Sequence, residues 1–202
     1  MKDIVVDYFF RKIKISRPDL DIIKLEELRY GLVGLYTLIT KTSVIILLAI
    51  ILGFFKEFII FLLFYIALRG VGYGTHAKSN VMCWIYSTVL LLGIPYIFTL
   101  LRISNIGKSI IWSLCFLNFV IFCPADTEKR PMINKVRKLK FKLSILVLSI
   151  IYLILIFNFS YISNLILAAM TLESLLTNPL GYILMGQKVR FHLNDINIFK
   201  LK

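Results

Sequence analysis

The residues best equipped for covalent chemistry in this chain are Cys83 and His76. They lie seven positions apart in the segment R-G-V-G-Y-G-T-H-A-K-S-N-V-M-C, residues 69–83. A thiol is mostly protonated at neutral pH, with a free pKa of about 8.5. An imidazole within hydrogen-bond reach can take that proton and later return one to a leaving amine. The other histidine, His192, lies in the polar tail. In an unbroken helix, seven residues return to nearly the same face but rise about 10.5 Å, so the two side chains would not meet. Gly70, Gly72 and Gly74, at alternate positions, argue against an unbroken helix. A break near Gly74 and a restart near Asn80, capped by Ser79 or Asn80, lets His76 fold back over Cys83. Cys83 then sits in a first helical turn, where the dipole favours thiolate. A His and a Cys near a membrane interface also occur by chance, so these two residues alone leave a structural reading open.

The elements that position this pair must work in lipid. Of 202 residues, 59% are hydrophobic and 17% charged, and the mean hydropathy is +0.85. A soluble domain is about half apolar and about a quarter charged, and could not hide this much apolar surface. The pattern predicts an all-α polytopic membrane protein with about six transmembrane segments. They cover about Tyr30–Phe55, Phe58–Leu68, Val81–Leu101, Ile110–Cys123, Leu143–Phe157 and Tyr161–Met185. Three are shorter than the ~20 residues of a straight crossing, which leaves six full spans, or four plus re-entrant pieces, both open. Pro95 should kink its span, and Asn178–Pro179 should break or kink the last one. The glycine-rich segment 69–83 is broken backbone at membrane depth. Such backbone is tolerated where protein or a wet cavity covers it, which marks a site.

Residues 1–29 form a polar but patterned N-terminal segment, 30–187 a transmembrane domain, and 188–202 a basic tail. Val5, Val6, Phe9, Phe10 and Ile13 sit at helical spacing opposite Lys12 and Lys14. After Ser16 as a cap, Pro18 should open a second short helix carrying Ile22, Ile23, Leu25 and Leu28. The segment is expected to lie on the membrane surface. It has no apolar run ahead of the first span, so insertion through the spans themselves is expected. The net charge of +13 reads as orientation and contact with anionic lipid headgroups rather than nucleic acid, since no aromatic-and-basic RNA motif occurs. With both ends inside, cytoplasmic segments hold 20 of the 24 Lys/Arg. Both termini are therefore expected on the cytoplasmic side.

The other candidates are fewer. Cys115 and Cys123 lie in or beside apolar stretches, and Cys115 reads as a small buried hydrophobe. Arg69 at a membrane edge can snorkel to the interface. Glu173 lies inside the sixth apolar segment, where a carboxylate is expensive; it can pair with Lys41, bind substrate or mark the interface. Asp126 can orient His76 as the third member of a triad, or simply form a turn after Pro124. No His-Glu-x-x-His pattern occurs, which disfavours a metalloprotease. A transporter without chemistry predicts that Cys83 is dispensable, and a scaffold predicts tolerance at both His76 and Cys83.

The segment resembles the accessory gene regulator B (AgrB) family, bacterial membrane endopeptidases of quorum-sensing systems. Arg69 lies seven before His76, Gly74 two before it and Cys83 seven after it, and His76–Ala77 also fits. The stretch C-P-A-D-T-E-K-R-P-M, Cys123–Met132, resembles the family's Pro-Ala-Asp-Thr-Glu-Asn-Lys-Pro loop. One departure is Tyr73, which stands where the family has the first glycine of a pair. Close backbone approach then falls to Gly72, or the loop is shaped differently. The resemblance implies a cysteine endopeptidase in which Cys83 attacks a short membrane-bound pro-peptide of the AgrD type and His76 is the base. It implies no cofactor and no metal. It further implies that Arg69 orients the loop or binds the pro-peptide. The basic loop, with Lys129, Arg130, Lys135, Arg137 and Lys138, meets lipid headgroups or an acidic pro-peptide tail. A homodimer is left open.

Overall fold

The structure is a computed structural model that describes residues 2–17, 20–75, 79–125 and 134–186. Among the described residues there are eight helices and no strand. The chain divides into two compact units, residues 1–53 and 54–202.

In the first unit, α1 (Lys2–Ser16) packs on α2 (Ile22–Ile51). Val6 is buried between them, and Arg29 pairs with Asp7 at 3.0 Å while covering the Phe10 ring. That exposed ion pair contributes at most about 1 kcal/mol. Asp21 caps α2 through its side chain, which accepts from Ile22 N–H at 2.7 Å. The separate short helix expected over Ile22–Leu28 does not form. Those residues are the first turns of α2, because good helix formers run from Lys24 to Arg29 with no Pro or Gly to stop them.

The second unit contains α3 (Phe55–Gly72), α4 (Asn80–Leu100), α5 (Asn105–Phe122), α6 (Lys135–Asn158), α7 (Ser160–Thr177) and the short α8 (Pro179–Leu184). Helix α7 is the centre: α3, α4, α5 and α6 all pack against it. Leu165 to Met170 are buried without interruption, which marks a helix enclosed on every side rather than an amphipathic one. The outer helices are patterned the other way round. On α4, Val81, Ile85, Val89, Ile97 and Leu100 are exposed; on α5, Ile106, Ile110, Leu114, Leu117 and Ile121 are exposed. These rows repeat every three or four residues, so each helix turns an aliphatic stripe outward. Inward, α6 presents Ile145, Ser149, Tyr152 and Ile156. Aliphatic stripes outside, with a few polar residues such as Ser149, Ser163 and Thr177 among the buried apolar ones, suit a lipid solvent, where hydrogen bonds and close packing hold helices together.

Polar side chains are also paired across helices. Tyr152 Oη donates to the Phe64 carbonyl at 2.9 Å, and Trp112 Nε1 donates to the Ser149 carbonyl at 2.9 Å. At the end of α4, Asn164 Nδ2 donates to the Phe98 and Leu101 carbonyls at 3.1 and 2.8 Å, satisfying groups that the helix leaves open.

Among the described residues, four helices are long and apolar enough to cross a membrane: Ile22–Ile51, Val81–Leu100, Asn105–Phe122 and Lys135–Asn158. The protein is therefore a helical membrane protein, and of the two layouts left open by the sequence these four helices match four spans plus further pieces. Helix α3 carries three charges, Lys56, Glu57 and Arg69, and α7 carries Glu173. The shortest expected segment, Phe58–Leu68, lies within the longer α3, and two other short ones gain length from their caps. Ser104 starts α5 ahead of Ile110, and Asn134 starts α6 ahead of Leu143. The last apolar segment is divided as expected at Asn178–Pro179. Asn178 ends α7 and caps α8, accepting from Gly181 N–H at 3.0 Å. Helix α4 runs through Pro95.

Tyr152→Phe should remove one interhelical hydrogen bond and leave the Phe64 carbonyl with its helical partner alone. The expected cost is about 0.5–1.5 kcal/mol, read as a lower unfolding temperature in detergent with no loss of helix content.

Candidate functional site

The chain breaks where the sequence expects it to. Helix α3 ends at Gly72, and α4 begins at Asn80 with Ser79 as its cap. The Ser79 hydroxyl accepts from Met82 N–H at 3.1 Å, and its carbonyl accepts from Cys83 N–H at 2.9 Å. Cys83 is therefore the fourth residue of α4, close to the positive end of the helix dipole. Its thiol is half-buried and 3.9 Å from the Ser87 hydroxyl one turn on. Cys115 and Cys123 are buried, 5% and 3% exposed, as small hydrophobes are.

The strand of chain that leaves α3 is fastened at several points. Tyr73 adopts the left-handed conformation with φ 66°, the angle at which a Cβ is costly and glycine is not. This is the position where a glycine was expected from the family pattern. The ring of Tyr73 is held edge-on to Phe141 of α6, with centroids 4.8 Å apart. Gly72 and Gly74 make the close approaches. A Cβ on Gly72 would overlap Glu173 Oε1 and lie 3.2 Å from Ile145 Cδ1. A Cβ on Gly74 would overlap Arg69 Nη1 and lie 3.3 Å from Leu176 Cβ. The two glycines thus make room for one ion pair, Arg69 Nη1 to Glu173 Oε2 at 3.5 Å. Glu173 faces Arg69, a partner not considered for it in the sequence, and Arg69 turns inward toward it.

Arg69 also reaches back along its own chain. Its Nη2 donates to the Thr75 carbonyl at 2.7 Å. Thr75 is buried, and both its N–H and its hydroxyl donate to the Leu176 carbonyl at 3.0 Å. That acceptor is free because α7 stops at Thr177, and the last carbonyls of a helix lack partners within it. On the other side, Ala125 N–H donates to the Gly72 carbonyl at 2.9 Å. The two stretches that carried the resemblance, one around Gly72 and one beginning at Cys123, therefore meet. Thr75 and Ala125 were not singled out in the sequence; each is a small residue beside a motif, with no charge to mark it.

His76, Asp126, Lys129 and Arg130 lie outside the described residues. Of the remaining expected residues, Lys135, Arg137 and Lys138 occupy the first turn of α6 behind the Asn134 cap. Cations there oppose the helix dipole, so helix stability does not account for them. Arg137 lies over the Phe141 ring at 5.6 Å, and that ring contacts Tyr73. The basic start of α6 thus adjoins the segment that leads from Arg69 to Cys83.

Residues 3–177 match the model of the family described as accessory gene regulator B. The chain belongs to the accessory gene regulator B family. The match takes in α1 through the end of α7, and so every residue of the site. An accessory gene regulator protein B of Staphylococcus carnosus is 31% identical over 142 residues, covering 70% of this chain and 74% of that protein. One of Staphylococcus epidermidis is 30% identical over 169 residues, covering 82% and 86%. An AgrB-like protein of Listeria innocua is 27% identical over 166 residues, covering 81% of each. No solved structure matches. Membership supports a role in an accessory gene regulator system.

Within this AgrB chain the glycines should not be interchangeable with the tyrosine between them. Gly72→Ala and Gly74→Ala must displace a buried ion pair and should each cost about 1–3 kcal/mol. Tyr73→Gly relieves the backbone but loses the Phe141 contact, and should stay within about 1 kcal/mol of wild type. Thermal unfolding of the purified variants in detergent checks the order.

Proposed function

We propose that this protein is a membrane cysteine endopeptidase of a quorum-sensing system, which cuts the C-terminal part from a small pro-peptide and promotes its cyclisation. The observation that carries the reading is the capped restart of the chain at Asn80, which sets the Cys83 thiol in the opening turns of α4, seven residues after His76. A thiolate there benefits from the dipole, and a general base close in sequence is available to form it.

The steps balance without a cofactor. His76 takes the proton from the Cys83 thiol, and the sulfur attacks the scissile carbonyl. The C–N bond breaks, the amine leaves with the proton from His76, and an acyl thioester remains on Cys83. A Cys or Ser of the pro-peptide then attacks the thioester carbonyl and gives its own proton back to restore the thiol. The product is a thiolactone or lactone ring. Thioester-to-thiolactone exchange is nearly even in energy, so no ATP is needed. Making a thioester from an amide is uphill, so loss of the cleaved tail pulls the reaction. A water-poor site protects the thioester from hydrolysis. On this reading the site faces the cytoplasm of a bacterial plasma membrane, because the basic start of α6 adjoins it.

The deciding experiment is co-expression of Cys83→Ala with a candidate pro-peptide, followed by mass analysis. The stable variant should lose processing by at least about 10³-fold, and His76→Ala by about 10²–10⁴-fold. A Cys83→Ala protein that trims the peptide as well as wild type would turn the reading toward a transporter or scaffold.

We further propose that Lys135, Arg137 and Lys138, with Lys129 and Arg130, hold an acidic pro-peptide tail. Reversing the charges of Lys135, Arg137 and Lys138 to Glu should impair processing about tenfold or more. The effect should lessen as salt rises, since screening weakens the wild-type attraction as well. Alkylation of Cys83 should be unaffected. Unchanged processing would leave lipid headgroups as the partner of these residues.

A further inference from the structure

Glu173 is fully buried, at 0% exposure, on the helix that every other long helix of its unit touches. Its two carboxylate oxygens and Arg69 Nη1 have no hydrogen-bond partner among the described residues. An apolar side chain of similar volume would fill this place at lower cost. Packing therefore does not account for the carboxylate, and its position does. Glu173 Oε2 lies 3.5 Å from Arg69 Nη1, while Arg69 Nη2 donates to the Thr75 carbonyl at 2.7 Å. A guanidinium is a rigid planar fork, so holding one nitrogen sets the direction of the other. The Thr75 carbonyl belongs to the peptide bond that leads into His76. Peptides are planar, so its direction sets the plane in which the chain proceeds. Thr75 is also tied by two donors to Leu176, three residues beyond Glu173 on the same helix. Gly72 and Gly74 are the residues that admit the pair.

We propose that Glu173 is a positioning residue: through Arg69 it fixes the Thr75 carbonyl, the last described group of the chain before the proposed base, and processing at Cys83 depends on that anchor. The inference rests on the Cys83–His76 reading above. It adds a residue 90 positions from the thiol in sequence (Cys83 to Glu173).

The test uses the full chain in membranes, with iodoacetamide as the probe and alkylation of each cysteine followed by mass at one pH. In Glu173→Gln, alkylation of Cys83 should slow, and pro-peptide processing should fall at least about tenfold, through kcat rather than KM. Cys115 and Cys123, both buried, should stay protected and so report an intact bundle. Glu173→Asp keeps the charge and should recover part of both losses. A Glu173→Gln protein with wild-type Cys83 alkylation and wild-type processing overturns the proposal. So does exposure of Cys115 and Cys123 in both variants, which would mean that the carboxylate only holds the bundle together. Cys83→Ala, run alongside, separates the two levels. If it still processes, the peptidase reading falls; if it is inactive while Glu173→Gln is normal, only the positioning role falls.

Discussion

A carboxylate and a guanidinium brought together inside a lipid-facing bundle constrain almost everything around them. Each charge is expensive to remove from water, and in this medium the cost is offset only by close opposition of the two. Arg69 and Glu173 therefore need backbone with no Cβ on two sides, and Gly72 and Gly74 provide it. They also need a helix that can carry a charge to the centre of the bundle, and α7 does this because α3, α4, α5 and α6 shield it. The glycines were flexible positions in the sequence; in the fold they are places where polar side chains approach the main chain.

The same pair explains why the chain can stop being helical at this depth. Backbone that leaves a helix in lipid must find other partners for its polar groups. Thr75 finds them on the end of α7, and its carbonyl is taken by Arg69. The Gly72 carbonyl is taken by Ala125. The break in α3 and the break at Asn178–Pro179 are thus one feature. The second ends α7 and leaves the carbonyl that the first needs.

Much of this was legible in the sequence, because the signals were local. Alternate glycines announced the end of α3, Ser79 announced the start of α4, and Asn178–Pro179 announced the division of the last apolar segment. What sequence could not supply was pairing across the bundle. Glu173 and Arg69 were each conspicuous as charges among apolar residues, yet 104 positions separate them (Arg69 to Glu173), and Lys41 was as good a partner on composition. Boundaries failed where polar residues lie inside helices. Lys135–Lys142 looked like loop because five of its eight residues are Lys or Arg, although the Asn134 cap makes it the first turns of α6. Tyr73 shows the opposite case. A bulky residue with positive φ cannot be foreseen from its own type, and only the glycine expected at that position from the family pattern pointed to it.

The direction of the helices then determines where chemistry can occur. The end of α3, the starts of α4 and α6, the segment after α5 and the end of α7 come to one side of the bundle, joined by the contacts of Thr75, Ala125 and Tyr73. The opposite side is closed differently, by Asn164 on the end of α4 and by the Tyr161 hydroxyl on Glu57. An alternating chain of helices necessarily has two such sides, but Gly72, Gly74, Cys83 and the run of cations at the start of α6 all fall on the same one. The cations at the start of α6 weaken their own helix slightly through its dipole, and the strained Tyr73 weakens its turn by about 1 kcal/mol. Neither cost is explained by stability. Both fall on the side where the thiol is, the side on which the proposed reaction would have to hold its peptide.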